Sequence, residues 1–211
     1  MTLNRYDKKV AAQHLVNNDP VLGRFIRASG KIDASARREA DVFLALARSI
    51  AYQQLSGKAA NTIFQRFRAL FPDNKPDAGH TSSLSFEQLR SVGLSGNKSL
   101  AIQDLAEKVL DRTLPNRRKL LRMPDDEIVE TLCQVRGIGP WSGQMYLMFN
   151  LGRPDVMATT DLGLQRGAMN LYELEAMPVP AQLEELSQPW KPFRSLASLY
   201  LWHAADTTLM N

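Results

Sequence analysis

The residues best suited to chemistry in this sequence are a glycine-rich turn and an aspartate that follows it. The turn reads Gly137-Ile138-Gly139 and leads into Pro140, which suits the first position of a helix because its missing N–H costs nothing there. The two glycines are expected to supply backbone angles that a side chain would disfavour. Amides at the start of the following helix would then point outward and bind phosphate oxygen. The predicted phosphate-binding positions here are Gly137, Gly139, Ser142 and Gly143.

Asp161 is the candidate for charge chemistry. It ends the polar run Thr159-Thr160-Asp161, directly before a segment that is predicted to be helical. In that position an aspartate caps the helix with its carboxylate. The same carboxylate, kept ionised near a helix N-terminus, would stabilise positive charge that develops on a substrate. The residues alone leave both interpretations open.

Helical periodicity predicts the elements that position these residues. Ile128, Leu132 and Val135 share one face of a helix that must stop at Gly137, and a second helix starts at Pro140. That second helix carries Trp141, Met145, Met148 and Phe149 on one face. Three further apolar stripes have helical spacing: Val42, Phe43, Leu46, Ala47 and Ile50; Ile102, Leu105, Ala106, Val109 and Leu110; and Phe193, Leu196, Ala197 and Tyr200. Strand alternation does not recur, so the sequence predicts an all-α fold.

Composition narrows the class of protein further. The chain has 211 residues, 44% of them hydrophobic, which is enough for one core or two small lobes that share a cleft. A net charge of +4 suits a polyanionic partner without proving one. One cysteine, Cys133, excludes an internal disulfide and a four-cysteine iron–sulfur cluster. Neither a membrane span nor a signal peptide is apparent, so we expect an intracellular protein, in the cytoplasm and nucleoid of a bacterium or the nucleus of a eukaryote.

The turn and the aspartate occur within a longer series of motifs that resembles a known family. The matching pieces keep one order: Ile50 to Ser56, Gly93-Leu94-Ser95 with Lys98, the hairpin at 128–149, Asp161-Leu162-Gly163, and Trp190 to Ser195 leading to Tyr200-Leu201-Trp202. Together they resemble the helix-hairpin-helix (HhH-GPD) DNA glycosylases, in particular the 3-methyladenine DNA glycosylase II (AlkA-like) enzymes. A simpler interpretation of the turn, an ordinary connection between two helices, stays open.

The resemblance implies an all-α fold in which two helical lobes flank a cleft beside the hairpin. Residues 1–211 would form a single glycosylase unit. Its central lobe would span about residues 40–150, and the second lobe would combine residues 1–38 with 151–211. The N-terminus is too short for the β-rich domain of larger AlkA-like enzymes, so we expect a short form of the family.

The resemblance also implies a monofunctional enzyme that excises alkylated purines, such as 3-methyladenine and 7-methylguanine, from double-stranded DNA in base excision repair. Asp161 would be the catalytic carboxylate, either orienting the attacking water or only stabilising the cationic sugar. The position that matches the nucleophilic lysine of strand-nicking relatives is Trp141, so water would attack and no lyase activity is expected. One alternative is a non-enzymatic helix-hairpin-helix protein that binds distorted or damaged DNA. Another is a glycosylase for oxidised, deaminated or mismatched bases.

The base pocket and the DNA contacts follow from the same resemblance. A flipped base would enter a pocket formed by Trp202, Trp141 and Tyr52, although each tryptophan could instead belong to the core. Gln54 or Leu55 would fill the gap in the base stack, unless Leu55 is a core residue. Phosphate contacts are expected from Ser56, Lys58 and Lys98. The basic run Arg117, Arg118, Lys119 and Arg122 is either a further phosphate contact or a solvated helix face.

Few cofactors are expected. Family members hold a monovalent cation, Na⁺ or K⁺, at the hairpin, and here the main-chain carbonyls would be those of Cys133, Val135 and Ile138. The histidines show no metal-ligand spacing. We expect a monomer without a membrane partner. The chain departs from the family at Thr160, a position that is often acidic, and at Met157-Ala158-Thr159, which lacks a common proline; both concern substrate range.

Overall fold

The computed structural model describes residues 7–30, 32 and 39–207. In chain order its helices are α1 (Lys8–Asn18), α2 (Pro20–Ser29), α3 (Val42–Tyr52), α4 (Gly57–Arg68), α5 (Ala78–Ser83), α6 (Phe86–Ser91), α7 (Gly96–Leu110), α8 (Arg117–Leu120), α9 (Asp125–Cys133), α10 (Pro140–Met145), α11 (Leu162–Tyr172), α12 (Pro180–Leu186) and α13 (Arg194–Asp206). Short 3₁₀ turns span Pro72–Asn74 and Gln188–Trp190, and a π-helical turn spans Tyr146–Leu151. No strand occurs in these ranges, so the predicted all-α class is confirmed. Nor does any described helix have the length and apolar character needed to cross a bilayer.

The chain divides into two compact units. The discontinuous unit lies within residues 1–37 and 147–211, and the central unit lies within residues 38–146. The boundary after Tyr146 falls inside the π-helical turn, one of the rare elements that often mark functional sites.

Helix α3 supplies much of the core of the central unit. The side chains of its predicted stripe, from Val42 to Ile50, are buried, and α3 packs against α4 and α7. The stripe on α7 is buried at Ile102, Leu105 and Ala106, whereas Leu110 at the helix end is 52% exposed. Val109 is only partly buried, so the prediction holds for the first three residues of this stripe and fails towards the end of the helix.

Helices α11 and α13 form the centre of the discontinuous unit. A Cβ atom on Gly167 of α11 would lie 2.0 Å from the carbonyl oxygen of Leu201 in α13, so only glycine permits this approach. The predicted stripe on α13 is buried at Leu196, Ala197 and Tyr200. The close contact of these helices fixes the position of the side chains that α13 presents to the start of α11.

A buried carboxylate, that of Asp19, joins three segments of the discontinuous unit. Asp19 caps α2 by accepting hydrogen bonds from the amides of Val21 and Leu22. Its other oxygen accepts from the hydroxyl of Tyr172 on α11 and from Nε1 of Trp190. Burial, together with the neighbouring carboxylate, raises the pKa of the Tyr172 phenol and keeps it a donor. Every buried polar atom in this cluster is thus satisfied by another.

The hairpin helices differ from the prediction in length and in their inner face. Helix α9 ends at Cys133, and α10 ends at Met145 before the π-helical turn takes over. The inward side of α10 carries the small residues Ser142 and Gly143, whereas Trp141 is 45% exposed. A Cβ on Gly143 would lie 3.2 Å from Cγ1 of Val129, so small residues let α10 pack closely on α9.

Candidate active site

Asp161 is held in one orientation by two donors. As the N-cap of α11, its Oδ1 accepts a hydrogen bond of 2.8 Å from the amide of Leu164. The same oxygen accepts a bond of 2.9 Å from Nε1 of Trp202 on α13. The residue is partly exposed. The capping role anticipated from the sequence is confirmed, and it leaves the carboxylate within reach of solvent.

An aromatic pair lies beside this carboxylate. The ring of Phe149, in the π-helical turn, stacks on the indole of Trp202 with centroids 6.0 Å apart and planes 26° from parallel. Phe149 is 37% exposed and Trp202 is partly buried. Because the indole also bonds Asp161, an aromatic surface and a carboxylate are fixed next to each other. The pair is suited to stacking on a planar, electron-poor group.

Phe149 was not predicted as a site residue. The sequence pattern places Phe149 on one regular helical face with Trp141 and Met145. The π-helical turn adds a residue to the helical circuit and turns Phe149 outward, while Met148 is buried. The residue types of Tyr146–Leu151 do not predict a π-helical turn.

Gly163 is a second residue that the sequence reasoning missed. A Cβ on Gly163 would lie 2.9 Å from Cδ1 of Trp202 and 3.0 Å from Oδ1 of Asp161. The sequence does give one indication of its role: glycine in the first turn of a helix weakens that helix, so glycine at this position needs a structural reason. The structure supplies the reason, since the indole occupies the space of the missing side chain.

The loop before Asp161 is fastened to the start of α13. The guanidinium of Arg194 binds both carboxylate oxygens of Asp155, with Nε 2.7 Å from Oδ1 and Nη2 3.1 Å from Oδ2. The hydroxyl of Ser195 donates to the carbonyl of Arg153 and accepts from the amide of Val156. These contacts explain the Trp190 to Ser195 motif, whose last residues hold the segment that delivers the aspartate.

The hairpin turn in the central unit needs one of its two glycines for conformation. Gly137 has φ of 76°, in the left-handed region, as predicted. Gly139 is extended, with φ of −104° and ψ of 177°, so the expectation that it needs a special backbone angle is wrong. A Cβ there would meet no atom within 4 Å. Neither backbone conformation nor packing among the described residues requires glycine at position 139.

The amides of the hairpin are partly used inside the protein. The amide of Gly143 donates to the carbonyl of Gly139, because it already belongs to the helical ladder of α10. Gly143 therefore serves close packing on α9, and its amide has a partner inside the protein. The amide of Ile138 donates to the carbonyl of Val135. The expectation that Gly137, Gly139, Ser142 and Gly143 bind phosphate stays a prediction.

A cavity of about 590 Å³ lies between the hairpin and the end of α3, and it unites several predicted site residues. Its lining consists of Ser49, Tyr52, Gln53, Gln54, Gly137, Trp141, Ser142 and Met145. The guanidinium of Arg48 covers one face of Tyr52, 4.3 Å from the ring centroid, and donates to its hydroxyl. Tyr52 and Trp141 thus share a cavity in the central unit, while Asp161 and Trp202 belong to the discontinuous unit.

The predicted wedge residues lie in the turn between α3 and α4. Leu55 is 41% exposed, so the alternative that it is a core residue is wrong. Gln54 has φ of 55°, a left-handed conformation that is uncommon for a residue with a side chain. Ser56 caps α4, with its Oγ 3.5 Å from the amide of Ala59, and Lys58 is exposed. The loop therefore presents Gln54 and Leu55 at the surface.

Lys98 has internal partners that the sequence did not suggest. Its ammonium, which is partly buried, donates to the carbonyls of Ala51 and Gln53 at distances of 2.9 and 2.8 Å. Burial lowers the pKa of this ammonium. Lys98 thus binds the last carbonyls of α3, and its expected phosphate contact stays a prediction.

The remaining candidates contribute less. Arg118, Lys119 and Arg122 are exposed, in agreement with a solvated face, although this does not test a phosphate contact. Across the described residues no three His, Cys, Asp or Glu side chains are grouped so as to hold a metal ion.

Comparison with known proteins identifies the family. Residues 47–192 match the HhH-GPD superfamily of base excision DNA repair proteins. The chain belongs to this superfamily. It is 32% identical over 191 residues to DNA-3-methyladenine glycosylase 1 of Schizosaccharomyces pombe, covering 90% of this chain and 84% of that protein.

Two solved members of the superfamily resemble the whole fold. The S. pombe 3-methyladenine DNA glycosylase Mag1, solved in complex with abasic DNA, has a TM-score of 0.85 and 30% identity, covering 95% of this chain and 98% of that one. A Bacillus halodurans structure described as a DNA-3-methyladenine glycosidase has a TM-score of 0.84 and 34% identity, covering 93% and 89%. The HhH-GPD fold extends over nearly the entire chain.

Proposed function

We propose that this protein is a DNA N-glycosylase that releases alkylated purines, such as 3-methyladenine, from duplex DNA in base excision repair. Similar proteins carry the names of 3-methyladenine glycosylases, and one of them was solved on abasic DNA, the product of such a reaction. The observation that carries the proposal is the Asp161 carboxylate, oriented by the Leu164 amide and the Trp202 indole beside an exposed aromatic ring.

The chemistry requires a fixed negative charge. When the N-glycosidic bond breaks, the purine leaves with the bonding electron pair and the deoxyribose becomes cationic. A preoriented carboxylate stabilises that charge without reorganising. A water molecule then adds its oxygen to C1′ and loses a proton, either to Asp161 or to solvent, which leaves an abasic site. One carboxylate suffices, because a cationic alkylated purine is already a good leaving group.

Selectivity would come from stacking. N-alkylated purines such as 3-methyladenine carry positive charge, and an aromatic face attracts a cation by about 0.5 to 2 kcal/mol. The stacked pair of Trp202 and Phe149 offers such a face next to Asp161. The places of Tyr52 and Trp141 in the base pocket stay predictions, supported by the cavity that they line.

We also propose that the enzyme has no lyase activity. The residue that matches the lysine of strand-nicking relatives is Trp141, which cannot form a Schiff base. A monovalent cation held by the carbonyls of Cys133, Val135 and Ile138 would help the hairpin bind phosphate. Carbonyl oxygens suit such an ion, although the Val135 oxygen already accepts from the amide of Ile138.

The test measures purines freed from alkylated duplex DNA by the wild type and by Asp161→Asn. Asparagine caps helices as well as aspartate and keeps an oxygen for both observed bonds, so the variant changes little except charge. Asp77→Asn is the matched control, because Asp77 caps α5 through the same kind of bond to the amide of His80. We expect Asp161→Asn to lose about 10²-fold or more in rate while the control keeps full activity.

Each other outcome is informative. Equal release by the wild type and Asp161→Asn would remove Asp161 from the mechanism. Tight binding of alkylated DNA without any base release would favour the non-enzymatic alternative. Capture of a covalent enzyme–DNA adduct by borohydride would contradict the monofunctional assignment.

A further inference from the structure

The turn that carries the wedge residues is bonded directly to the hairpin turn. The side-chain amide of Gln53 donates from Nε2 to the carbonyl of Gly137 at 2.9 Å, across 84 positions of sequence. Gln53 is the C-cap of α3 and directly precedes Gln54, while Gly137 is the left-handed residue of the hairpin. The two loops expected to act on DNA are therefore linked by one side chain.

The same residue is held from the other side by α7. Its carbonyl accepts from the ammonium of Lys98 at 2.8 Å, and the carbonyl of Ala51 accepts from the same ammonium at 2.9 Å. Six positions further along α7, Oδ2 of Asp104 accepts from the amide of Arg136 at 2.7 Å, directly before Gly137. Helix α7 thus fixes the backbone of both loops, and Gln53 connects them.

The conformation of Gln54 shows that this support is needed. A non-glycine residue in the left-handed region is strained by about 1 to 2 kcal/mol and persists only where its surroundings over-determine it. Gln53, the residue before Gln54, is fixed at its carbonyl and at its side chain, and Ser56 caps α4 two residues after Gln54. Between these supports Leu55 is 41% exposed.

We propose that Gln53, held by Lys98, is a positioning residue that couples the hairpin's grip on the DNA backbone to insertion of the Gln54–Leu55 wedge. This inference rests on the proposed function. With the coupling intact, binding of phosphate by the hairpin brings the wedge to the base stack in its final conformation. Without it, the hairpin still binds DNA, but the wedge must be ordered separately for each extrusion.

The experiment compares Gln53→Met with the wild type. Methionine keeps the length of the side chain and removes the donor. Gln103→Met is the matched control, because Gln103 on α7 also donates from Nε2 to a carbonyl, that of Leu84 at 3.4 Å, outside the two loops. Lys98→Met is the second variant of the network. Thermal unfolding of each variant verifies that the fold is retained.

Two readouts separate positioning from a general structural effect. Fluorescence of 2-aminopurine placed next to a target purine on a non-cleavable 2′-fluoro sugar reports extrusion of that purine. Anisotropy on undamaged duplex reports backbone binding. We expect Gln53→Met to lower the extrusion equilibrium about 3- to 10-fold, the range for one lost hydrogen bond, with backbone affinity within about twofold. Lys98→Met should act in the same direction, and Gln103→Met should have no effect.

Rescue gives the deciding comparison. Single-turnover excision by Gln53→Met should fall about 3- to 10-fold when the damaged purine is paired, and recover when it lies opposite a gap, where extrusion costs little. Equal loss on both substrates, or none on either, would overturn the proposal. If the wild type frees no base, the proposed function fails, and the 2-aminopurine signal still decides whether Gln53 controls extrusion.

Discussion

Replacing Gly163 with alanine should separate the catalytic contact from the fold. The added Cβ would lie 2.9 Å from Cδ1 and 3.1 Å from Nε1 of Trp202. Ordinary contact begins near 3.4 Å, so the indole must retreat by about 0.5 Å. The bond of 2.9 Å from Trp202 to Asp161 would then lengthen beyond good geometry.

The expected effect is larger for catalysis than for folding. Loss of one donor, with a displacement of about half an ångström, should lower kcat/KM by about 10- to 100-fold, or about 1.4 to 2.8 kcal/mol. Alanine gains about 1 kcal/mol over glycine within a helix, while the tight contact costs about 1 to 3 kcal/mol. The free energy of unfolding should therefore fall by no more than about 2 kcal/mol.

Single-turnover excision from alkylated duplex DNA and urea unfolding measure the two quantities. Gly96→Ala is the matched control, because Gly96 also lies in the first turn of a helix and its added Cβ would meet only Cζ of Phe86, at 3.7 Å. Activity of Gly163→Ala within about twofold of this control would show that the indole can move without consequence for Asp161, which contradicts the expected loss.

Three further results are expected. Gly139→Ala should leave thermal stability unchanged, since its Cβ meets nothing within 4 Å, yet weaken DNA binding in anisotropy titrations; unchanged affinity would deny that a phosphate approaches this residue. Asp19→Ala should lower the free energy of unfolding by about 3 to 5 kcal/mol, because it leaves the Tyr172 hydroxyl and the Trp190 indole without their acceptor. Urea unfolding measures this quantity, and a loss below about 1 kcal/mol would contradict the expectation. Burial raises the pKa of the Cys133 thiol, so iodoacetamide should alkylate it more slowly than it alkylates glutathione at pH 7.5. The alkylation rate should still increase above pH 9. A rate as fast as that of glutathione would show that the thiol is not desolvated.

The fold was predictable where helical periodicity governs burial. The stripes on α3 and α13 identified buried faces, because each helix packs one side into a core. Periodicity failed after Met145, where the π-helical turn replaces a regular helix. Such a turn depends on how the surrounding helices pack, and the local residue types do not encode it.

The candidate site was predictable where a backbone rule applies. Gly137 at a left-handed position and Asp161 as a helix N-cap both follow from local geometry. The contacts of Gly163 and Lys98 could not be deduced, because they join residues 39 and 45 or more positions apart whose proximity only the folded chain establishes. The sequence pattern therefore identifies the carboxylate and the hairpin turn, but not the residues that hold them in position.

The two glycines of the hairpin record different constraints. At residue 137 the positive φ angle disfavours any side chain, so a substitution there lowers the stability of the protein even without DNA. At residue 139 the extended backbone accepts any residue until another molecule occupies the surrounding space. In a mutational scan that measures protein abundance, substitutions at residue 139 would therefore look neutral. In a scan that measures cell survival after exposure to an alkylating agent, the same substitutions would be harmful.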